Sequence, residues 1–137
     1  MKTILIILSF ILTGCSTIQP PEYYDFTLTT NLPLDQNGYY HYEINPYSSG
    51  QSLHKFAVHT NNPVTQMVYW DCDTQFSWND YEVDIINHWS YTDEDGDAFT
   101  MFGPNQSMIN DTVTVYTWYT DSVHDVDYQG YFKIILK

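Results

Sequence analysis

Gly130-Tyr131-Phe132-Lys133-Ile134-Ile135-Leu136-Lys137 decides the fold class, because Phe132, Ile134 and Leu136 alternate with Tyr131, Lys133, Ile135 and Lys137. A period of two sends successive side chains to opposite faces, so this is a half-buried strand with one wholly apolar face. The two lysines on the other face suit a strand near a sheet edge, where charge discourages pairing with other chains. Thr112 to Thr120 alternates as well, setting Val113 and Val115 against Thr114, Tyr116 and Trp118. Both of its faces are bulky, so one is expected in the core and the other as an aromatic surface.

Working outward, further short runs of Val, Ile, Thr, Tyr, Phe and Trp predict strands over 24–30, 38–45, 53–60, 65–71, 81–91 and 98–102. Turn-forming residues stand between them, among them Asp35-Gln36-Asn37-Gly38, Asn45-Pro46, Ser49-Gly50, Asn61-Asn62-Pro63, Asp95-Gly96, Gly103-Pro104-Asn105 and Gln129-Gly130. No long stretch carries helical periodicity. The expectation is one all-β domain over 23–137, an antiparallel β-sandwich of about eight strands, with a small meander β-barrel as the alternative. Gly130-Tyr131-Phe132-Lys133-Ile134 resembles the closing strand of bacterial immunoglobulin-like modules, and Thr112-Val113-Thr114-Val115 to Trp118 resembles the central strand before it. That resemblance implies an immunoglobulin-like sandwich, although the Cys, Trp, Cys framework of antibody domains is absent.

At the other end, Met1 to Cys15 reads MKTILIILSFILTGC, with one basic residue, an apolar run from Ile4 to Leu12 broken only by Ser9, and Leu12-Thr13-Gly14-Cys15. The run is too short to span a bilayer as a helix of ~20 residues, so an export signal cleaved before Cys15 is the expected reading. It resembles bacterial lipoprotein signal peptides, which implies acylation of Cys15 and a membrane partner reached through a lipid anchor. Residues 1–14 are then the signal, and 15–22, with the Pro20-Pro21 pair, a short extended tether. In lipoproteins of the enterobacterial type an Asp after the lipidated Cys retains the protein at the inner membrane. Ser16 stands there instead, which implies the outer membrane.

Without the signal, Lys55, Lys133 and Lys137 face 17 Asp and Glu, three against seventeen, a balance of −14, and the chain contains no Arg. Such a surface repels nucleic acid and cannot supply the cationic forks that hold phosphates, so neither nucleic-acid binding nor phosphoryl transfer is expected. If Cys15 is acylated, Cys72 is the only thiol left, and the fold stands on its core without a disulfide. Asp71 and Asp73 flank Cys72 and disfavour a thiolate, so it is expected as a small buried residue rather than a nucleophile. Cys72, Tyr69 or Trp70 is expected to contribute to the core, with Trp70 the residue whose truncation should cost most.

Asp93-Glu94-Asp95-Gly96-Asp97 places four carboxylates and a glycine on a predicted turn. Hard oxygen ligands at this spacing suit Ca²⁺, with Asp93, Asp95 and Asp97 as the candidate ligands and no other cofactor implied. If Gly96 is set at the invariant Gly of an EF-hand loop, however, Tyr91 and Phe102 fall at its ends, so a plain acidic turn is the first reading. Asp121, Asp125 and Asp127 form a second acidic cluster that either completes the site or faces water. His41, His54, His59, His88 and His124 show no compact ligand pair, and His54 and His59 belong on opposite strand faces. Nucleophile-elbow, P-loop, dinucleotide-binding and thiol-protease motifs are all missing, so a non-enzymatic protein is expected.

The aromatic load, 13 Tyr, 7 Phe and 4 Trp, exceeds what one compact core takes up. Exposed Tyr and Trp offer stiff contact area with a hydrogen-bonding tip, which points to a binding or assembly module at the cell envelope, with Tyr116 and Trp118 as candidate binding residues. Its partner would be an unidentified protein or a glycan. A glycan calls for coplanar rings on one sheet, a protein for a mixed patch with a polar rim. The alternatives are thus a carbohydrate-binding module and an envelope inhibitor of a basic hydrolase.

Overall fold

The computed structural model describes residues 23–45, 53–78 and 81–137, with the backbone alone for 76–78 and 81–83. Cys15, the signal and the tether lie outside the described residues. The strands are β1 (Thr27–Thr29), β2 (Tyr40–Tyr42), β3 (His54–His59), β4 (Met67–Cys72), β5 (Phe76–Trp78), β6 (Tyr81–Val83), β7 (Trp89–Tyr91), β8 (Asp97–Phe102), β9 (Thr112–Asp121) and β10 (Val126–Leu136). A 3₁₀ turn, Gln106–Met108, leads into β9, capped by the Asn105 side chain accepting from the Ser107 amide.

Two sheets form the domain, one ordered β1-β3-β8 and the other β2-β10-β9-β4-β7, and a separate ribbon pairs β5 with β6. Neither main sheet closes on itself, so the chain is an open sandwich and the meander barrel is set aside. The spine is the β9–β10 hairpin, in register from Val126 opposite Asp121 to Ile135 opposite Thr112. Its turn is clamped by Asp121, whose Oδ1 accepts the Val123 amide at 3.0 Å and whose Oδ2 meets His124 Nδ1 at 2.7 Å. The two sheets, with the early strands divided between them and the last two central in the larger, follow the immunoglobulin plan.

The core fills the space between the sheets. Phe56 and Val58 of β3 and Ala98 and Phe102 of β8 face Val68 and Trp70 of β4, Val113, Val115 and Tyr119 of β9, and Phe132, Ile134 and Leu136 of β10. Phe56 touches both sides, 4.5 Å from the Phe132 ring and 5.3 Å from that of Phe102 between centroids. Trp70 is 1% exposed and donates its indole N–H to Ser90 Oγ at 3.0 Å, so its one polar atom is satisfied.

The structure corrects the strand expectations in several places. The sandwich is not wholly antiparallel, because β2 runs parallel to β10, with Tyr40, His41 and Tyr42 opposite Ile134, Ile135 and Leu136. The chain leaves the smaller sheet after β1, turns at Asp35 to Gly38, and enters the larger sheet in the same direction as its last strand. That pairing also covers the C-terminal third of β10, so the lysine-bearing strand is not a free edge throughout. The run 81–91 is two strands rather than one, because Ile85 and Ile86 are both buried and adjacent. Two inward residues in succession break the period of two, and the segment crosses to β8, where Ile86 bridges Phe102 and the Gly103 amide donates to Ile85 O. Finally, β5 had no sequence expectation of its own, whereas the eight strands of the two main sheets each overlap a predicted run.

Candidate binding face

Alternation in the larger sheet turns Trp70, Val115, Thr117, Tyr119 and Phe132 inward and leaves their neighbours outside. The register then gathers those neighbours into rows. Trp89 of β7, Tyr69 of β4, Trp118 of β9 and Gln129 of β10 lie side by side across four strands. One step along, Tyr91 stands opposite Met67; on the other side Asp71, Tyr116 and Tyr131 make a third row. Every large side chain here is exposed, from 37% for Met67 to 57% for Trp89. The Tyr69 and Trp118 rings are offset-stacked at 5.7 Å and 19°, while Trp89 and Tyr91 meet edge to face at 77°. Asp71, Tyr116, Trp118, Gln129 and Tyr131 line an open depression of about 680 Å³.

Tyr116 and Trp118 therefore lie on one outer face, together with aromatic neighbours from three further strands. Tyr69, Trp89 and Tyr91 belong to the aromatic surplus of the sequence, but neither they nor Tyr131 are among the binding residues expected from it. A signal existed for Tyr69, since a core Trp70 forces its neighbour outward, but which strands lie next to one another is not written in any local run.

The calcium candidates do converge, with one oxygen each of Asp93, Asp95 and Asp97 within 4.8 Å of one another. Two of the three carboxylates are already hydrogen-bonded. Asp93 Oδ1 accepts the amides of Asp95 and Asp97 at 2.9 Å, and Asp97 Oδ1 meets His59 Nδ1 at 2.8 Å. The second acidic cluster does not join them: Asp121 is buried in the hairpin clamp, and Asp127 lies in β10 and accepts from Thr120 Oγ1 at 2.7 Å. The arrangement is that of a hydrogen-bonded turn between β7 and β8.

His54 and His59 do face opposite ways. His54 packs on Tyr42 and Phe56, and burial lowers its pKa. Four of the histidines are paired with carboxylates, His41 with Asp35, His59 with Asp97, His88 with Asp84 and His124 with Asp121. The bond to Asp84 raises the pKa of His88, and the same bond lowers that of Asp84. Cys72 is half-buried at the end of β4, and its thiol is pushed up to about 11, first by burial and then by the charges of Asp73 and Asp71. It is no nucleophile at neutral pH.

No family model matches the chain, and no curated protein matches it. Among solved structures, the crystal structure of a FixG-related protein from Vibrio parahaemolyticus aligns over 85% of this chain and 99% of its own at 13% identity, with a TM-score of 0.41. The assignment to the sandwich class rests on the chain's own strand order and core.

Proposed function

We propose that this protein is a non-enzymatic binding module of the cell envelope, held at the membrane, the outer one by the lipoprotein resemblance, through acyl chains on Cys15, and that it recognises its partner with the outer face of the larger sheet. The observation that carries the reading is the contiguity of that face. Single exposed apolar residues are ordinary on a soluble domain, but six aromatic rings and a methionine gathered across four strands form a patch of the kind that marks recognition surfaces. The rings lie at mixed angles and carry Asp71 and Gln129 among them, which favours a protein surface over a flat platform for sugars. Photo-crosslinking in cells tests this, with p-benzoylphenylalanine in place of Trp118 on this face or of Phe99, 49% exposed on the smaller sheet. Adducts from position 118 and none from position 99 are expected. Adducts from 99 alone, or from neither, would refute the reading.

A further inference from the structure

If the larger sheet's outer face is a binding surface, as proposed above, its chemistry restricts what can cover it. We infer that the occupant is a basic protein segment whose arginine or lysine side chains lie over the rings of Trp118, Tyr116 and Tyr69 and pair with Asp71. The first argument is charge complementarity. With the signal removed, three lysines stand against seventeen carboxylates and there is no arginine. Two of those carboxylates belong to this face: Asp71 lines the depression, and Asp127 is outward on β10 two residues before Gln129. A cationic partner is steered onto such a surface, and a second copy of the same acidic chain is repelled from it.

The second argument is what the protein does with its own cations. Lys55 Nζ sits 4.3 Å from the centroid of the exposed Phe99 ring, and Lys133 Nζ lies 5.5 Å from that of Tyr131 and 5.9 Å from that of Tyr39. These are distances at which the negative face of a ring attracts a cation. Lys133 stands four residues along β10 from Gln129, toward the other end of the strand. Its presence on Tyr131 shows the interaction in use at the margin of the face, while Trp118 and Tyr69, stacked on each other, form the larger π surface farther in. Trp is the strongest side-chain acceptor of cations, and a guanidinium stacks on it flat while donating to a nearby carboxylate.

Titration of the full chain in neutral detergent, followed by indole fluorescence, tests this with a short arginine-rich peptide, its citrulline counterpart and a panel of neutral oligosaccharides. Saturable binding of the arginine peptide is expected, weakened about tenfold by Trp118→Ala or Asp71→Asn and partly restored by Trp118→Phe. Asp95→Asn removes the same charge from the β7–β8 turn, beyond Tyr91 at the opposite end of the face from Asp71, and should leave the affinity unchanged. Equal binding of the citrulline peptide, or equal weakening by Asp95→Asn and Asp71→Asn, would overturn the inference, as would failure of the arginine peptide to bind. Trp118-dependent binding of an oligosaccharide in its place would overturn the cationic partner while leaving the face a recognition surface.

Discussion

Tyr69 and Trp70 are adjacent and nearly alike in chemistry, yet one serves the surface and the other the core, because a strand turns neighbours to opposite sides. Trp70→Ala should therefore cost about 3–5 kcal/mol in urea or guanidinium unfolding, through lost burial and the cavity left behind. Tyr69→Ala, 40% exposed at the start, should cost under about 1 kcal/mol. Reversed magnitudes would mean that the strand faces are misassigned. Gly96 has φ +83°, and a methyl there would run into the carbonyl oxygen of Thr60. Gly96→Ala is expected to destabilise by about 1–3 kcal/mol, whereas Gly38→Ala, at φ +86° in open space, should cost less. Two histidines give opposite pH dependences. His88, raised by Asp84, adds stability that is complete below the ordinary histidine value of 6.5 and is lost as pH rises through its folded pKa. His54, lowered by burial, must stay neutral, so its contribution is lost as pH falls below 6.5. Melting temperature against pH should consequently fall less below pH 6.5 in His54→Phe and decline less above pH 6.5 in His88→Gln. The sequence made Trp70 readable as core from its strand run. It did not reveal the His59–Asp97 pair, which forms only through the β3–β8 register.

At the scale of elements, period-two runs survived wherever one face is buried and one is wet, as in β9 and β10. Legibility failed where the chain changes sheets. Ile85-Ile86 looks like a continuous strand core, but its two residues lie between β6 and β7 and reach across to the end of β8, and the parallel seating of β2 depends on a turn that only tertiary packing orients. The β7–β8 turn supplies a test of its own. Because Asp93 and Asp97 already hold backbone amides and His59, millimolar Ca²⁺ should raise the melting temperature no more than Na⁺ at matched ionic strength, both acting by screening like charges. A rise specific to Ca²⁺ and absent in Asp95→Asn would establish a metal site, since an ion that binds only the folded state stabilises it by mass action.

For the whole molecule, an acidic sandwich with one aromatic face follows from composition plus alternation, and both were legible. The face as a unit was not, because it needs the lateral order β7-β4-β9-β10, and residues from Met67 to Tyr131 meet only through pairing across the sheet. Anchoring is independent of this face and separately testable. Cys15→Ser should leave the chain unprocessed or released from the membrane fraction, and a fully processed Cys15→Ser chain retained there would refute the anchor. The central claim is that the larger sheet's outer face is covered in the protein's working environment. Hydroxyl-radical footprinting tests it directly by comparing the purified chain with the same chain in intact envelopes. Oxidation of Met67, Trp89 and Trp118 should drop in the envelope while that of Phe99 and Met101, on the smaller sheet, stays the same. Equal oxidation of both faces in the two samples would contradict the account.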